Sequence, residues 1–250
     1  GSVSSCGHNY PGVVAQLVAA GVTVVVAAGN ENGLAVNEPA NCDGVIAVAG
    51  LRHAGTKVGY SSLGPEVAIA APAGNCINTI GACLYPLLTT DNDGSTTPGS
   101  NVYSSSSAPS LGTSFSSPLV AGTVALMLAA NPALTPAQIK GLIQTSARPF
   151  PTVGATDNGA AVCKAPTALE QLECYCTSAT CGAGILDAAA AVARAAGRQV
   201  PLVAVFQSSV DQPTVGMRVQ LDGQPSSAAV TGRTWSIASG GARGTLDGST

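Results

Sequence analysis

The apolar positions along this chain change their period several times, and each change marks an element. Between residues 10 and 20 they fall at Val13, Val14, Leu17 and Val18. That is the spacing of one helix face, and Gly21 follows where a helix C-terminus is capped. Residues 22–28 form a short valine-rich run, apolar on both faces, as in a strand buried within a parallel sheet. The run ends in the loop Gly29-Asn30. Residues 44–49 and 67–71 repeat the pattern, the second stopping at Pro72. Residues 95–102, rich in Thr, Pro, Gly and Ser, predict a hairpin tip or surface loop.

From Ser114 the chain is small and apolar on all sides through Leu119, Val120, Val124, Leu126, Met127 and Leu128. A helix of that kind is expected to be central and buried all round. Thr135-Pro136-Ala137-Gln138 then combines an N-cap, a proline at the first helical position and a Gln three residues after the cap. The helix it starts should be amphipathic through Ile139, Leu142 and Ile143, to about Thr145. An Ala-rich helix over 185–196 closes a first domain, 1–197. Beyond it, 201–206 and 217–221 alternate in the manner of strands. Residues 198–250 are too few for a β-sandwich of about 100 residues, so an incomplete immunoglobulin-like β segment is expected. The fold class is α/β, with a largely parallel sheet and a short C-terminal β segment.

Composition narrows the function classes. Of 250 residues, 46% are hydrophobic and only 9% charged, against about 25% charged in ordinary proteins. Such a chain can bury a core and is too apolar for disorder. A net charge of −3 without a Lys/Arg run gives no sign of nucleic-acid or anionic-membrane binding. Eight cysteines without paired CxxC spacing favour disulfides and an oxidising compartment over zinc. Loop proximity suggests Cys6–Cys42 and Cys76–Cys83, with Cys163, Cys174, Cys176 and Cys181 paired among themselves. The start, Gly1-Ser-Val-Ser-Ser-Cys6, has no leader pattern; a secreted protein of which an upstream piece is missing is the expectation.

The chemistry concentrates in Gly112-Thr113-Ser114-Phe115-Ser116-Ser117-Pro118. A serine in the first turn of a helix sits where unpaired N–H groups and the helix dipole favour developing negative charge. Gly112 permits close backbone approach, and a proline is tolerated in a first turn. Asp91-Asn92-Asp93-Gly94 resembles a calcium loop but lacks the Glu twelve positions on, so a β-turn is expected and no cofactor is assigned; calcium stays open without a clear motif. Lys57, Lys140 and Lys164 are weak candidates for a Ser–Lys dyad.

Gly112-Thr-Ser-Phe-Ser-Ser-Pro118 followed by Val-Ala-Gly122 closely resembles the nucleophile motif of the subtilase family of serine peptidases. Val24-Val-Val-Ala-Ala-Gly-Asn30 resembles the strand and loop carrying that family's oxyanion asparagine. Tyr60-Ser-Ser-Leu-Gly64 and Val67-Ala-Ile-Ala-Ala-Pro72 look like its connecting segments, in the same order. The resemblance covers about 1–196; the stretch from Val200 onward is similar to the start of a PKD-type domain. The resemblance implies a partial subtilisin-like three-layer fold and an extracellular, secreted serine endopeptidase. Ser114 would be the nucleophile, with the Asn30 amide and the Ser114 N–H as oxyanion donors. Ala27, Ala28 and Gly29 would form a wall of the specificity pocket, with Thr113 also among the substrate-binding residues.

One departure matters. In this family an Asp and a His precede the Ser in chain order, yet no Asp-Thr/Ser-Gly or His-Gly-Thr motif occurs here. His8 precedes a surface-type helix and His53 lies in a turn. The chain therefore reads as the C-terminal part of such a domain. The alternatives are a stand-alone serine hydrolase with esterase activity and a non-catalytic fragment or binding scaffold. Loss of the preceding strands would bare a sheet edge and apolar faces, so a homodimer or strand-swapped oligomer is expected.

Overall fold

Three strands run parallel in the order β1-β2-β3 in the computed structural model: β1 (Val25–Ala27), β2 (Ile46–Leu51) and β3 (Val67–Pro72). The described residues are 6–7, 9–74, 87–104, 111–155, 160–198, 207–208 and 221–222. Every residue of β2 is buried, which is why it reads as a continuous apolar run. Its alternate side chains serve two layers. Ile46 and Val48 join one core cluster with helices α2 (Thr113–Ala130), α3 (Pro136–Ser146) and α4 (Ala188–Ala195). Ala47, Ala49 and Leu51 join a second cluster, on the opposite side, with Cys163, Cys174, Cys176 and Cys181. Ala47 pairs with Val67 but Val48 with Ile69, so Ala68 is an extra residue. That slip puts both Ala68 and Ile69 on the helical side.

Helix α1 (Tyr10–Ala19) precedes β1 and buries Val14 against Cys42 and Val45. Its C-terminus carries Gly21 at φ 84°, a left-handed position that favours glycine. Helix α3 has the capping box expected of Thr135 and Gln138, each side chain bonded to the other's backbone N–H. The disulfides Cys6–Cys42, Cys163–Cys174 and Cys176–Cys181 agree with the proximity argument. Cys76–Cys83 falls outside the described residues.

The expectation of a helix buried all round is overturned. Helix α2 lies across all three strands, burying Ser116, Val120, Thr123, Val124 and Met127. Its other half is open, with Leu119 43% and Leu126 59% exposed, beside exposed Ala121, Gly122, Ala125 and Ala129. Length and apolarity alone would let α2 cross a bilayer, but its buried face is seated on the sheet. Uniform apolarity shows what a helix can bury, whereas burial depends on what lies beside it.

An antiparallel hairpin, β4 (Thr89–Asn92) and β5 (Asn101–Ser104), contains the Asp91–Gly94 segment. Asn92 Oδ1 accepts the Gly94 and Gly99 N–H groups, and Asp93 Oδ1 that of Ser100. These polar side chains close the turn itself. Of the expected C-terminal β segment, the described residues hold only a short antiparallel pair, β6 (Gln207–Ser208) and β7 (Leu221–Asp222); the rest of 198–250 is outside them.

Candidate active site

Two loops meet at the C-terminal edge of the sheet, one leaving β1 and one starting α2. Thr113 stitches them together. It is fully buried, and its hydroxyl accepts the Gly29 N–H at 3.2 Å. That hydroxyl's single proton is shared between Asn30 Oδ1 at 3.0 Å and the Gly29 carbonyl at 3.2 Å. The Thr113 N–H also donates to Asn30 Oδ1, at 3.0 Å. The carboxamide oxygen of Asn30 is thereby tied down, which leaves its NH2 as the group available to a ligand. Thr113 thus spends its polar atoms on Asn30 and Gly29.

Ser114, the next residue, is exposed at the first turn of α2. First-turn N–H groups have no acceptor within their own helix. Ser116 fixes this end of the helix, its hydroxyl 3.1 and 3.0 Å from the carbonyls of Ala71 and Pro72. Gly112 has φ 125°, outside the range open to ordinary L residues. A Cβ there would come 3.4 Å from Asn30 Nδ2, into the space between amide and helix. Ala27 and Gly29 are half-buried and Ala28 is buried.

The remaining sequence candidates do not gather at this site. His53 is exposed on the turn after β2, and His8 is outside the described residues. Lys57 is fully buried with its ammonium on the carbonyls of Val58, Gly59 and Ser61. Lys140 donates to the Val45 carbonyl, and Lys164 is exposed. The sulfurs of Cys163, Cys176 and Cys181 come together, but all three are oxidised in disulfides, so they offer no thiolate to a metal.

Sequence reasoning singled out Tyr60 only as part of a segment, yet it braces the turn that leads into Ser114. Its phenol accepts the Gly112 N–H at 3.0 Å and donates to the Ala73 carbonyl. Burial pushes that phenol up to about 12, the Gly112 hydrogen bond acting the other way. An unfolded tyrosine ionises near pH 10. The stabilisation is therefore complete below about pH 10 and is lost as pH rises through 10 toward 12. Urea midpoints should fall across that window more steeply in the wild type than in Tyr60→Phe; parallel profiles would refute this.

Comparison with known proteins places the geometry in context. The family model described as the subtilase family matches residues 1–180. An extracellular protease of Xanthomonas campestris pv. campestris is 38% identical over 78% of this chain and 27% of its own length. Subtilisin DY of Bacillus licheniformis is 33% identical over 54% of this chain and 42% of its own. Among solved structures, a protease of Pseudoalteromonas arctica superposes with TM-score 0.59 at 35% identity, over 77% of this chain and 48% of that one. The chain thus spans less than half the length of each of these relatives. With the family model covering more than half of the chain, and with the Gly112–Ser114 turn, asparagine loop and parallel sheet in the arrangement just described, the chain belongs to the subtilase family.

Proposed function

We propose that this chain carries the nucleophile and oxyanion part of a secreted serine endopeptidase. The observation that supports this most is the Asn30 carboxamide, its oxygen held by two Thr113 donors beside an exposed Ser114. Ser114 Oγ would bond to the scissile carbonyl carbon while its proton passes to a base. The Asn30 amide and the Ser114 N–H would receive the oxyanion, and the proton would then leave on the departing amine as the C–N bond breaks. Ala27, Ala28 and Gly29 would line the primary pocket. The sequence holds no Asp or His motif of the family, so the base is assigned to a further stretch of polypeptide bearing them, as part of a longer protease. Relatives named as extracellular support secretion.

A fluorophosphonate probe tests the assignment, with mass spectrometry locating the adduct beside Ser114→Ala. Labelling at Ser114 that the variant loses is expected wherever a base is present. Labelling that survives in Ser114→Ala would overturn the nucleophile. Hydrolysis of a p-nitrophenyl ester by the chain alone, lost in Ser114→Ala, would favour the esterase reading.

The open half of α2 and the outer edge of β1 are also the surfaces through which self-association is proposed, as a homodimer or strand-swapped pair. Leu119 and Leu126 lie there among small residues that permit close approach. Size-exclusion chromatography with light scattering should show a dimer mass; a stable monomer would count against it.

A further inference from the structure

The loop 58–62 touches both sides of the candidate site. Its Tyr60 and Ser61 carbonyls accept the N–H groups of Asn32 and Gly33, at 2.9 and 3.0 Å. The Ser62 N–H donates to the Gly29 carbonyl at 2.9 Å, and the Ser62 hydroxyl oxygen accepts the Glu31 N–H at 3.2 Å. On the other side, the Tyr60 phenol holds the Gly112 N–H. The backbone on both sides of Asn30 and the turn leading to Ser114 therefore hang on one short loop.

At the centre of that loop is an ammonium. Lys57 is fully buried, and its Nζ lies 3.0, 2.8 and 2.9 Å from the carbonyls of Val58, Gly59 and Ser61. Three protons meet three acceptors, all on the loop itself. Lysine is among the residues least often fully buried, and burial pulls this ammonium down to about 7. An apolar side chain of the same volume would be cheaper to bury. It would not, however, turn three carbonyls of one loop inward, and that curl is what aims Tyr60 and Ser61 at their partners.

We propose that Lys57 is a positioning residue, whose ammonium curls the loop 58–62 into the shape that seats Asn30 against the Gly112–Ser114 turn. The proposal rests on reading Ser114 and Asn30 as nucleophile and oxyanion donor; what it adds is the side chain that holds the two in register.

Two amides report the seat without turnover. The Thr113 N–H is bonded to Asn30 Oδ1 and the Gly112 N–H to the Tyr60 phenol. Hydrogen exchange is compared in the intact, oxidised chain as wild type, Lys57→Met and Lys57→Arg. In Lys57→Met both amides should exchange roughly tenfold faster, as expected when the hydrogen bonds protecting them loosen. Lys57→Arg should restore most of the protection, and the amides of Ile139 and Ala191 should not change. Unchanged exchange at Gly112 and Thr113 would overturn the proposal, and so would equal acceleration at all four, the mark of a general staple. Should Lys57→Met fail to fold, the wild-type ammonium is observed directly with 15N-labelled lysine. A slowly exchanging Lys57 signal supports the proposal, and one exchanging like a surface lysine overturns it. Absence of fluorophosphonate labelling at Ser114 in the longer protease that carries the Asp and His stretch would sink the hydrolase reading while leaving the exchange result standing, so the two failures are distinguishable.

Discussion

Replacing Asn30 by alanine should slow phosphonylation of Ser114 by about 10²–10³, the known cost of deleting one oxyanion donor in subtilisin, carried over from that relative. The expectation rests on how Asn30 is held. Its oxygen takes two hydrogen bonds from Thr113, so its NH2 faces outward before any ligand arrives and needs no reorganisation when charge develops. Truncation removes that donor and leaves Ser114 in place, since the start of α2 is anchored separately through Ser116. Thr113→Val provides the graded comparison. It deletes the hydroxyl but keeps the Thr113 N–H on Asn30, so the loss should be near that of one hydrogen bond, about 1 kcal/mol or about fivefold. Rates are read by stopped-time labelling under conditions where the wild type reacts. An Asn30→Ala chain labelling at the wild-type rate would mean that the amide takes no part in stabilising the oxyanion.

The parts of this fold that were legible in the sequence are those where one residue's environment is decided by its near neighbours. Residues 44–49 announce a parallel strand because a strand covered on both faces has no polar side to show. Thr135 and Gln138 announce a helix start because a capping box is closed within one turn. The expected strand over 22–28 is shorter in the structure, Val25–Ala27, because its partner β2 starts only at Ile46. Other features depend on distant chain. Thr113 holds Asn30 across 83 positions, and nothing local distinguishes it from a residue that meets substrate. Nothing local in Thr56-Lys57-Val58-Gly59 marks Lys57 for burial; distant chain supplies it, the Cys174 carbonyl accepting its backbone N–H. The open half of α2 was illegible for the opposite reason. Composition recorded an apolar surface, but exposure is set by what the neighbouring elements cover.

The largest effect on stability is expected away from the site, at Arg52 and Glu173. Their side chains form an ion pair across 121 positions of chain, both almost wholly buried. Glu173 also accepts the Thr56 hydroxyl at 2.6 Å. The pair joins the loop closed by Cys163–Cys174 to the start of the connection between β2 and β3, the connection that also carries Lys57. Glu173→Leu takes the Glu173 carboxylate from the buried guanidinium of Arg52, and breaking a buried pair by removing one member costs about 3–5 kcal/mol. Arg52→Met takes the guanidinium from the buried carboxylate and leaves the Thr56 hydroxyl on it, so it too should be destabilised. Removing both charges together, Arg52→Met with Glu173→Leu, should recover much of the loss, because a buried pair repays little more than its own desolvation. Guanidinium midpoints with the disulfides intact measure all three. A double variant whose destabilisation equals the sum of the singles would show that the two charges do not depend on one another, and would sink the claim that this pair fastens the disulfide segment to the loop beneath the candidate site.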